Sequence, residues 1–148
     1  MILRKATRED VPAIVRMLAD DGLGRGREQT EDLQPYYAAY DAMAHDANNF
    51  ILIAESGGEI VGTLQLTFIA GLSRKGARRA QIEAVRVSSR HRGGGFGQQM
   101  IEAAIDLARK EGCSIVQLTT DKKRSDAHRF YERLGFVATH EGMKLELD

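Results

Sequence analysis

Two periodicities alternate along this chain, and their order limits the folds that it can adopt. Apolar residues recur at helical spacing over 8–20, and further helices are expected over 34–45, 96–111 and 125–134. The runs "NFILIAES" and "IVGTLQLTFI" are rich in β-branched and aromatic residues, and the short turn between them predicts a hairpin of two strands. With the remaining apolar runs, the order of elements becomes β-α-α-β-β-β-α-β-α-β-β.

This order predicts an α/β fold in which a mixed, mostly antiparallel central sheet of about seven strands carries helices on both faces. "SIVQLTT" is continuously apolar at its start and is expected to be a central strand, while "FVATH" and "GMKLELD" are expected to close the sheet. We see no second-domain linker, so residues 1–148 are expected to form one domain.

Composition narrows the class of partner. The 148 residues carry 21 basic and 21 acidic side chains, and this balance argues against a general nucleic-acid or membrane-surface binder. No apolar run approaches the roughly 20 residues that cross a bilayer, and the N-terminus lacks the apolar core of a signal peptide. The single cysteine, Cys113, excludes an intrachain disulfide framework. We expect a cytoplasmic protein without a metal site, and a homodimer stays open.

The segment "RHRGGGFGQQM", residues 90–100, is the strongest functional signal. A Walker A loop would need Lys-Ser or Lys-Thr after these glycines, and a dinucleotide fingerprint fails at its third glycine. What remains is Arg92-x-x-Gly95-x-Gly97 between a strand and a helix. Glycines there let successive backbone N–H groups turn toward one anion, and the dipole of the following helix adds to the attraction. The alternative is a flexible turn with a glycine at the N-cap.

Charge is distributed unevenly around this segment. Seven basic residues and one acidic residue, Glu83, lie between Arg74 and Arg92. In a neutral chain this asymmetry indicates a local polyanionic partner, although a solvated basic face would also produce it.

Two blocks of the sequence carry a family resemblance. "IEAVRVSSRHRGGGFGQQMIEAAI" resembles the acyl-CoA pyrophosphate-binding segment of the GNAT superfamily of N-acetyltransferases, and "DAHRFYERLGF" is similar to the family's carboxy-proximal helix. The resemblance implies a GNAT-like sheet and acetyl-CoA as co-substrate. It places contacts to acetyl-CoA at Val85, Val87, Arg92, Gly93, Gly94, Gly95, Phe96, Gly97, Gln98, Asp121, Arg124 and Phe130. Asp121 departs from the pattern, because many relatives have an Asn there, whose amide can donate a hydrogen bond.

Glu83 and Tyr131 are the candidate catalytic residues. A change of apolar phase at residues 84–85 predicts a β-bulge, or a strand covered on both sides, and a bulge would leave room for pantetheine and the acetyl group beside Glu83. Glu83 would act as the base toward the amine, directly or through a water, and the family resemblance implies that a backbone N–H near Val87 polarises the thioester. Tyr131 would be the acid for the departing sulfur. The alternatives are a structural pairing of Glu83 and core packing of Tyr131.

The acceptor is expected to be a small-molecule primary amine that attacks acetyl-CoA directly in a ternary complex. Tyr36, Tyr40 and Glu83 could line its cleft, although the tyrosines could equally pack the second helix on the sheet. The segment "LTTDKKRSDAHRFYERLGF" is similar to aminoalkylphosphonate N-acetyltransferases, which would allow an anionic amine near Arg78, Arg79 or Arg124. Competing interpretations are a non-catalytic acyl-CoA sensor or regulatory module and, less favoured by the neutral charge, a nucleic-acid-binding domain.

Overall fold

The computed structural model describes residues 1–20 and 26–148 of the chain. They divide into two compact units, Met1–Gln117 and Leu118–Asp148. Strands are β1 (Ile2–Lys5), β2 (Asn49–Ser56), β3 (Glu59–Ile69), β4 (Arg79–Val87) and β5 (Ile115–Leu118); helices are α1 (Val11–Ala19), α2 (Gln34–Ala44), the single turn α3 (Ser73–Gly76), α4 (Phe96–Lys110) and α5 (Ser125–Arg133). Within the described ranges, no helix is both long and apolar enough to cross a membrane.

Among the described residues, the sheet has five strands in the order β1-β2-β3-β4-β5, and the first four pair antiparallel. The α/β class is therefore confirmed, whereas the expected number of about seven strands and the central position of β5 are wrong. Residues 136–148, which were expected to supply the closing strands, contain no strand, and Met143, Leu145 and Leu147 are 85–95% exposed. Alternation of apolar residues describes the two faces of a strand but does not supply the neighbouring backbone that a strand must pair with.

Both faces of β3 contribute to the core of the first unit, and helix α4 covers one of them. Leu64, Leu66 and Phe68 alternate along this strand and are buried, and helix α4 adds the buried side chains of Met100 and Ile101. Gly62 continues the same face, where an added Cβ would lie 2.4 Å from the Met100 sulfur. A residue without a side chain thus lets α4 approach the sheet closely.

The entry to helix α1 is fixed by a buried carboxylate. Asp10 is 7% exposed and accepts hydrogen bonds from the Arg4 guanidinium at 2.7 and 2.9 Å and from the Thr7 backbone N–H at 2.7 Å. The Arg4 guanidinium, joined by the Thr7 N–H, lowers the pKa of Asp10 to about 2 despite its burial. A buried ion pair therefore connects strand β1 to the start of this helix.

Candidate functional site

The predicted bulge is present in β4. Thr63 pairs with Arg86 and Gln65 pairs with Glu83, so β4 places one more residue between these two pairs than β3 does. Ala84 has a φ of +53°, in the left-handed region that non-glycine residues rarely adopt. Ile82 is 1% exposed, whereas Glu83 and Ala84 are exposed and Val85 and Val87 are half-buried. The strand thus turns a carboxylate outward where the ladder is interrupted.

Gly93 and Gly95 give the loop after β4 its shape. Their φ values are +83° and +82°, and Gly95 is the N-cap of α4. The first intrahelical bond at this end runs from the Gln99 N–H to the Gly95 carbonyl at 3.1 Å. The N–H groups of Phe96, Gly97 and Gln98 precede that bond and have no partner within the helix. A left-handed loop that leads into such a helix start forms a main-chain cradle suited to an anion.

Other residues hold this loop in place. An added Cβ at Gly94 would lie 3.3 Å from the His91 carbonyl oxygen, so the loop is closely folded on itself. Arg92 donates from Nε to the Val87 carbonyl at 3.2 Å and from a terminal nitrogen to the Asp20 carbonyl at 2.9 Å. These two bonds tie the loop to the end of β4 and to the end of α1, so the Arg92 side chain positions the cradle.

The basic residues upstream do not share one role. Arg78 donates to Glu111 at 2.9 Å and to Asn48, and its guanidinium lies 5.1 Å from the centre of the Phe68 ring. Arg90 lies 3.7 Å from Glu59. A cleft of about 410 Å³ lies beside the Arg90–Glu59 pair. It is lined by Ala13, Arg16, Met17, Asp20, Glu59, Ile60, Ser88 and Arg90. Part of the basic cluster is therefore engaged in contacts with other residues of the same chain.

Glu83 itself has a defined partner that the sequence analysis missed. Its Oε1 accepts a hydrogen bond from the side-chain NH₂ of Gln81 at 2.9 Å. The side-chain amide oxygen of Gln81 in turn accepts one from the Gln117 NH₂ at 2.9 Å. The signal was available in the sequence, because Gln81 and Glu83 are polar residues at alternate positions and the residues beside them, Ala80 and Ile82, are apolar.

Tyr36 and Tyr40 have internal partners. The Tyr36 hydroxyl donates to Glu28 at 3.0 Å and accepts from the Gln29 N–H at 3.1 Å, and the Tyr40 hydroxyl donates to the Ala6 carbonyl at 3.4 Å. Tyr40 also lines a cavity of about 180 Å³ between α2 and strands β1 and β2. These contacts agree with the packing alternative, and the role of the two tyrosines in acceptor binding stays a prediction.

The second unit carries the other sequence-predicted residues. Tyr131 is half-buried, and its ring packs edge-on against Phe130 and Phe136, with centroids 5.1 and 5.8 Å away. The Asp121 carboxylate accepts from the Lys123 N–H at 2.8 Å, and the Asp121 carbonyl accepts from the N–H of Arg124, the exposed N-cap of α5. Asp121 thus closes the turn before this helix, a role that a side-chain oxygen of Asp or Asn can fill.

The chain is similar to known proteins over most of its length. The sequence profile of the Acetyltransferase (GNAT) family matches residues 12–136. Aminoalkylphosphonate N-acetyltransferase from Salmonella typhimurium is 30% identical over 93% of this chain and 86% of its own length. The probable N-acetyltransferase family 8 member 5 of Mus musculus is 35% identical over 64% of this chain, a match that spans 41% of that protein. The crystal structure of a transcriptional regulator from Bacillus halodurans C-125 is 49% identical and superposes with a TM-score of 0.94 over 99% of both chains.

Proposed function

Because this chain belongs to the GNAT family and is an acyltransferase, we propose that it moves the acetyl group of acetyl-CoA to a primary amine of a small molecule. Members of this family use acetyl-CoA. The observation that carries the proposal is the cradle between β4 and α4, in which left-handed Gly93 and Gly95 precede the N–H groups of the helix start that have no partner within the helix. A diphosphate is the part of acetyl-CoA that such a cradle suits best, because its oxygens can accept several main-chain bonds at once.

Glu83 is the proposed base for the acceptor amine. The amine must lose a proton before its nitrogen can attack the thioester carbonyl, and Glu83 would take that proton directly or through a water. The C–N bond forms as the C–S bond breaks, and the CoA thiolate leaves with a proton supplied by an acid. The outward position of Glu83 beside the bulge supports this role, since an acceptor can reach the carboxylate.

Two further roles rest on the family resemblance. The main-chain N–H near Val87 would stabilise the oxyanion that forms during attack, because a positioned donor is stronger there than in water. Tyr131 would protonate the departing sulfur. Residues Val85, Phe96, Gln98, Asp121, Arg124 and Phe130 keep their proposed contacts with acetyl-CoA.

The acceptor proposed is a small amine, and an aminoalkylphosphonate is the first compound to test. The support is the Salmonella relative, which bears that substrate in its name and matches 93% of this chain. The test measures acetyl-CoA consumption across a panel of aminoalkylphosphonates, amino sugars and uncharged amines, with mass spectrometry of the products. Acetylation of at least one member is expected, and CoA binding without turnover of any amine would contradict the proposal.

A second candidate function is an acyl-CoA-binding regulator. The observation that favours it is the Bacillus halodurans transcriptional regulator, which is 49% identical over 99% of this chain. A regulator would need the anion cradle but not Glu83 or Tyr131. Replacement of these two residues would then leave its response to acetyl-CoA intact, whereas the enzyme would lose turnover.

A further inference from the structure

Four polar side chains on β4 and β5 form a series of hydrogen bonds that ends at Glu83. Arg79 donates to the side-chain amide oxygen of Gln117 at 3.4 Å, the Gln117 NH₂ donates to the side-chain amide oxygen of Gln81 at 2.9 Å, and the Gln81 NH₂ donates to Glu83 at 2.9 Å. Arg79, Gln81 and Glu83 occupy alternate positions of β4, whose intervening residues Ala80 and Ile82 are buried. The series therefore lies on the face of β4 opposite the core.

The chemistry at the two ends fixes the direction of every bond. A guanidinium can only donate, so the oxygen of the Gln117 amide must face Arg79, and its NH₂ must face Gln81. The oxygen of Gln81 is then committed to Gln117, and its NH₂ faces Glu83, whose ionised carboxylate can only accept. Reversing either amide would bring two donors or two acceptors together. The orientation of both glutamines follows from a cation at one end and an anion at the other.

The neighbour across the ladder does not compete for Glu83. Gln65 pairs with Glu83 in the register of β3 and β4, yet its amide donates to the Asn49 side chain at 2.9 Å. Glu83 also lies directly before the bulge, where the backbone ladder is interrupted. A side-chain bond is therefore well placed to fix the direction of this exposed carboxylate.

We propose that Gln81 is a positioning residue for the base, and that Gln117 and Arg79 act through it by fixing the direction of its amide. Gln81 holds Oε1 of Glu83, which leaves Oε2 to take the proton of the acceptor amine or of a bridging water. This inference rests on the proposed role of Glu83. It adds a reason why the carboxylate points in one direction, because the bond series extends from Arg79 through the amides of Gln117 and Gln81 to Oε1 of Glu83.

The first test is a double-mutant cycle. Gln81→Met keeps the length of the side chain and removes the donor, so kcat is expected to fall roughly tenfold while KM for acetyl-CoA stays unchanged. In a Glu83→Gln background the same replacement is expected to cost nothing further, because there is no base left to position. Gln65→Met is the matched control, since it removes a neighbouring amide that bonds to Asn49 instead. Its kcat is expected to equal that of the natural protein.

The second test makes another carboxylate compete for the Gln81 amide. In Gln117→Glu the new carboxylate can accept from Arg79 and competes with Glu83 for the Gln81 NH₂, so the bond from Gln81 to Glu83 is expected to weaken. Gln117→Met leaves Gln81 free to keep its bond to Glu83. We expect Gln117→Glu to lose roughly tenfold in kcat and Gln117→Met to lose much less, with equal melting temperatures. If the series only stabilised the sheet, Gln117→Glu would lose less kcat and melting temperature than Gln117→Met, because its carboxylate keeps a partner for Arg79.

The outcomes separate the two claims. A Glu83→Gln enzyme with full kcat would overturn the base and the positioning residue together. If Glu83→Gln lowers kcat and Gln81→Met lowers it further by its full factor in that background, the positioning role alone would be overturned. Equal kcat of the two Gln117 variants would overturn it as well.

Discussion

Glu83, the proposed base, lies directly before a backbone irregularity in β4. The left-handed Ala84 interrupts the alternation of β4, and the preceding carboxylate faces outward while Ile82 stays in the core. The change of apolar phase at residues 84–85 predicted either a bulge or a strand covered on both sides, and the structure has the bulge. The bond from Gln117 to Gln81 could not be predicted from the sequence, because it depends on the position of β5 beside β4.

Tyr131 packs in the second unit and is also the proposed acid, and the removal of one oxygen atom tests the second role without disturbing the first. Its ring packs against Phe130 and Phe136, and a phenylalanine would preserve those contacts. Tyr131→Phe is therefore expected to lower kcat about a hundredfold, as the loss of an acid does, with little change in CoA affinity. Steady-state kinetics and calorimetry check this. Unchanged turnover would leave packing as the only role of Tyr131.

The start of helix α1 depends on the ionised form of Asp10. Because the folded state lowers the pKa of Asp10 to about 2, its contribution is present above the ordinary value of about 4 and is lost as the pH falls through 2. Asp10→Asn is expected to reduce the free energy of unfolding by about 2 kcal/mol at neutral pH.

The difference between the two proteins should shrink between pH 4 and pH 2, because the natural protein loses its charge there too. Denaturant unfolding at pH 7, 4 and 2.5 measures this dependence. A difference that stays constant over the whole range would mean that the Arg4 ion pair does not set the stability of this helix start.

Helix α4 and strand β3 meet at a position that admits no side chain. An added Cβ at Gly62 would lie 2.4 Å from the Met100 sulfur and 3.1 Å from the Arg86 carbonyl oxygen, and Met100 is fully buried. Gly62→Ala is expected to lower the free energy of unfolding by about 1–3 kcal/mol through overpacking.

Gly71→Ala is the control for that substitution, because an added Cβ there meets nothing within 4 Å. Its unfolding midpoint in urea should match that of the natural protein. Equal midpoints for the Gly62 and Gly71 variants would show that α4 can move away from β3 without cost.

Helices and strands were predictable to different degrees. The apolar stripe of α4 and the glycine at its start follow from local spacing, and the structure has this helix at Phe96–Lys110. The closing strands were wrong, since "GMKLELD" has the alternation of a strand but Leu145 and Leu147 are exposed. Local pattern determines what a segment could form, and pairing determines what it does form.

For the whole molecule, the balance of charge and the folded loop favour a small anionic ligand over a large one. Basic and acidic residues number 21 each, and Arg78, Arg90 and Arg92 all lie within 4 Å of an acidic side chain. Affinity for an anion would then come mainly from main-chain N–H groups at one place on the surface. Main-chain N–H groups of this kind can bind a diphosphate without a broad positive field.

The most direct test of this account is calorimetric titration of Gly95→Glu with CoA and with pantetheine, which lacks the diphosphate. Gly58→Glu is the matched control, because Gly58 has a φ of +80° in an open hairpin turn and Gly95 has a φ of +82°. Gly95→Glu is expected to weaken CoA binding about a hundredfold and to leave pantetheine binding unchanged. The control variant is expected to bind both ligands as the natural protein does. CoA affinity equal to that of the natural protein would contradict the main-chain diphosphate site.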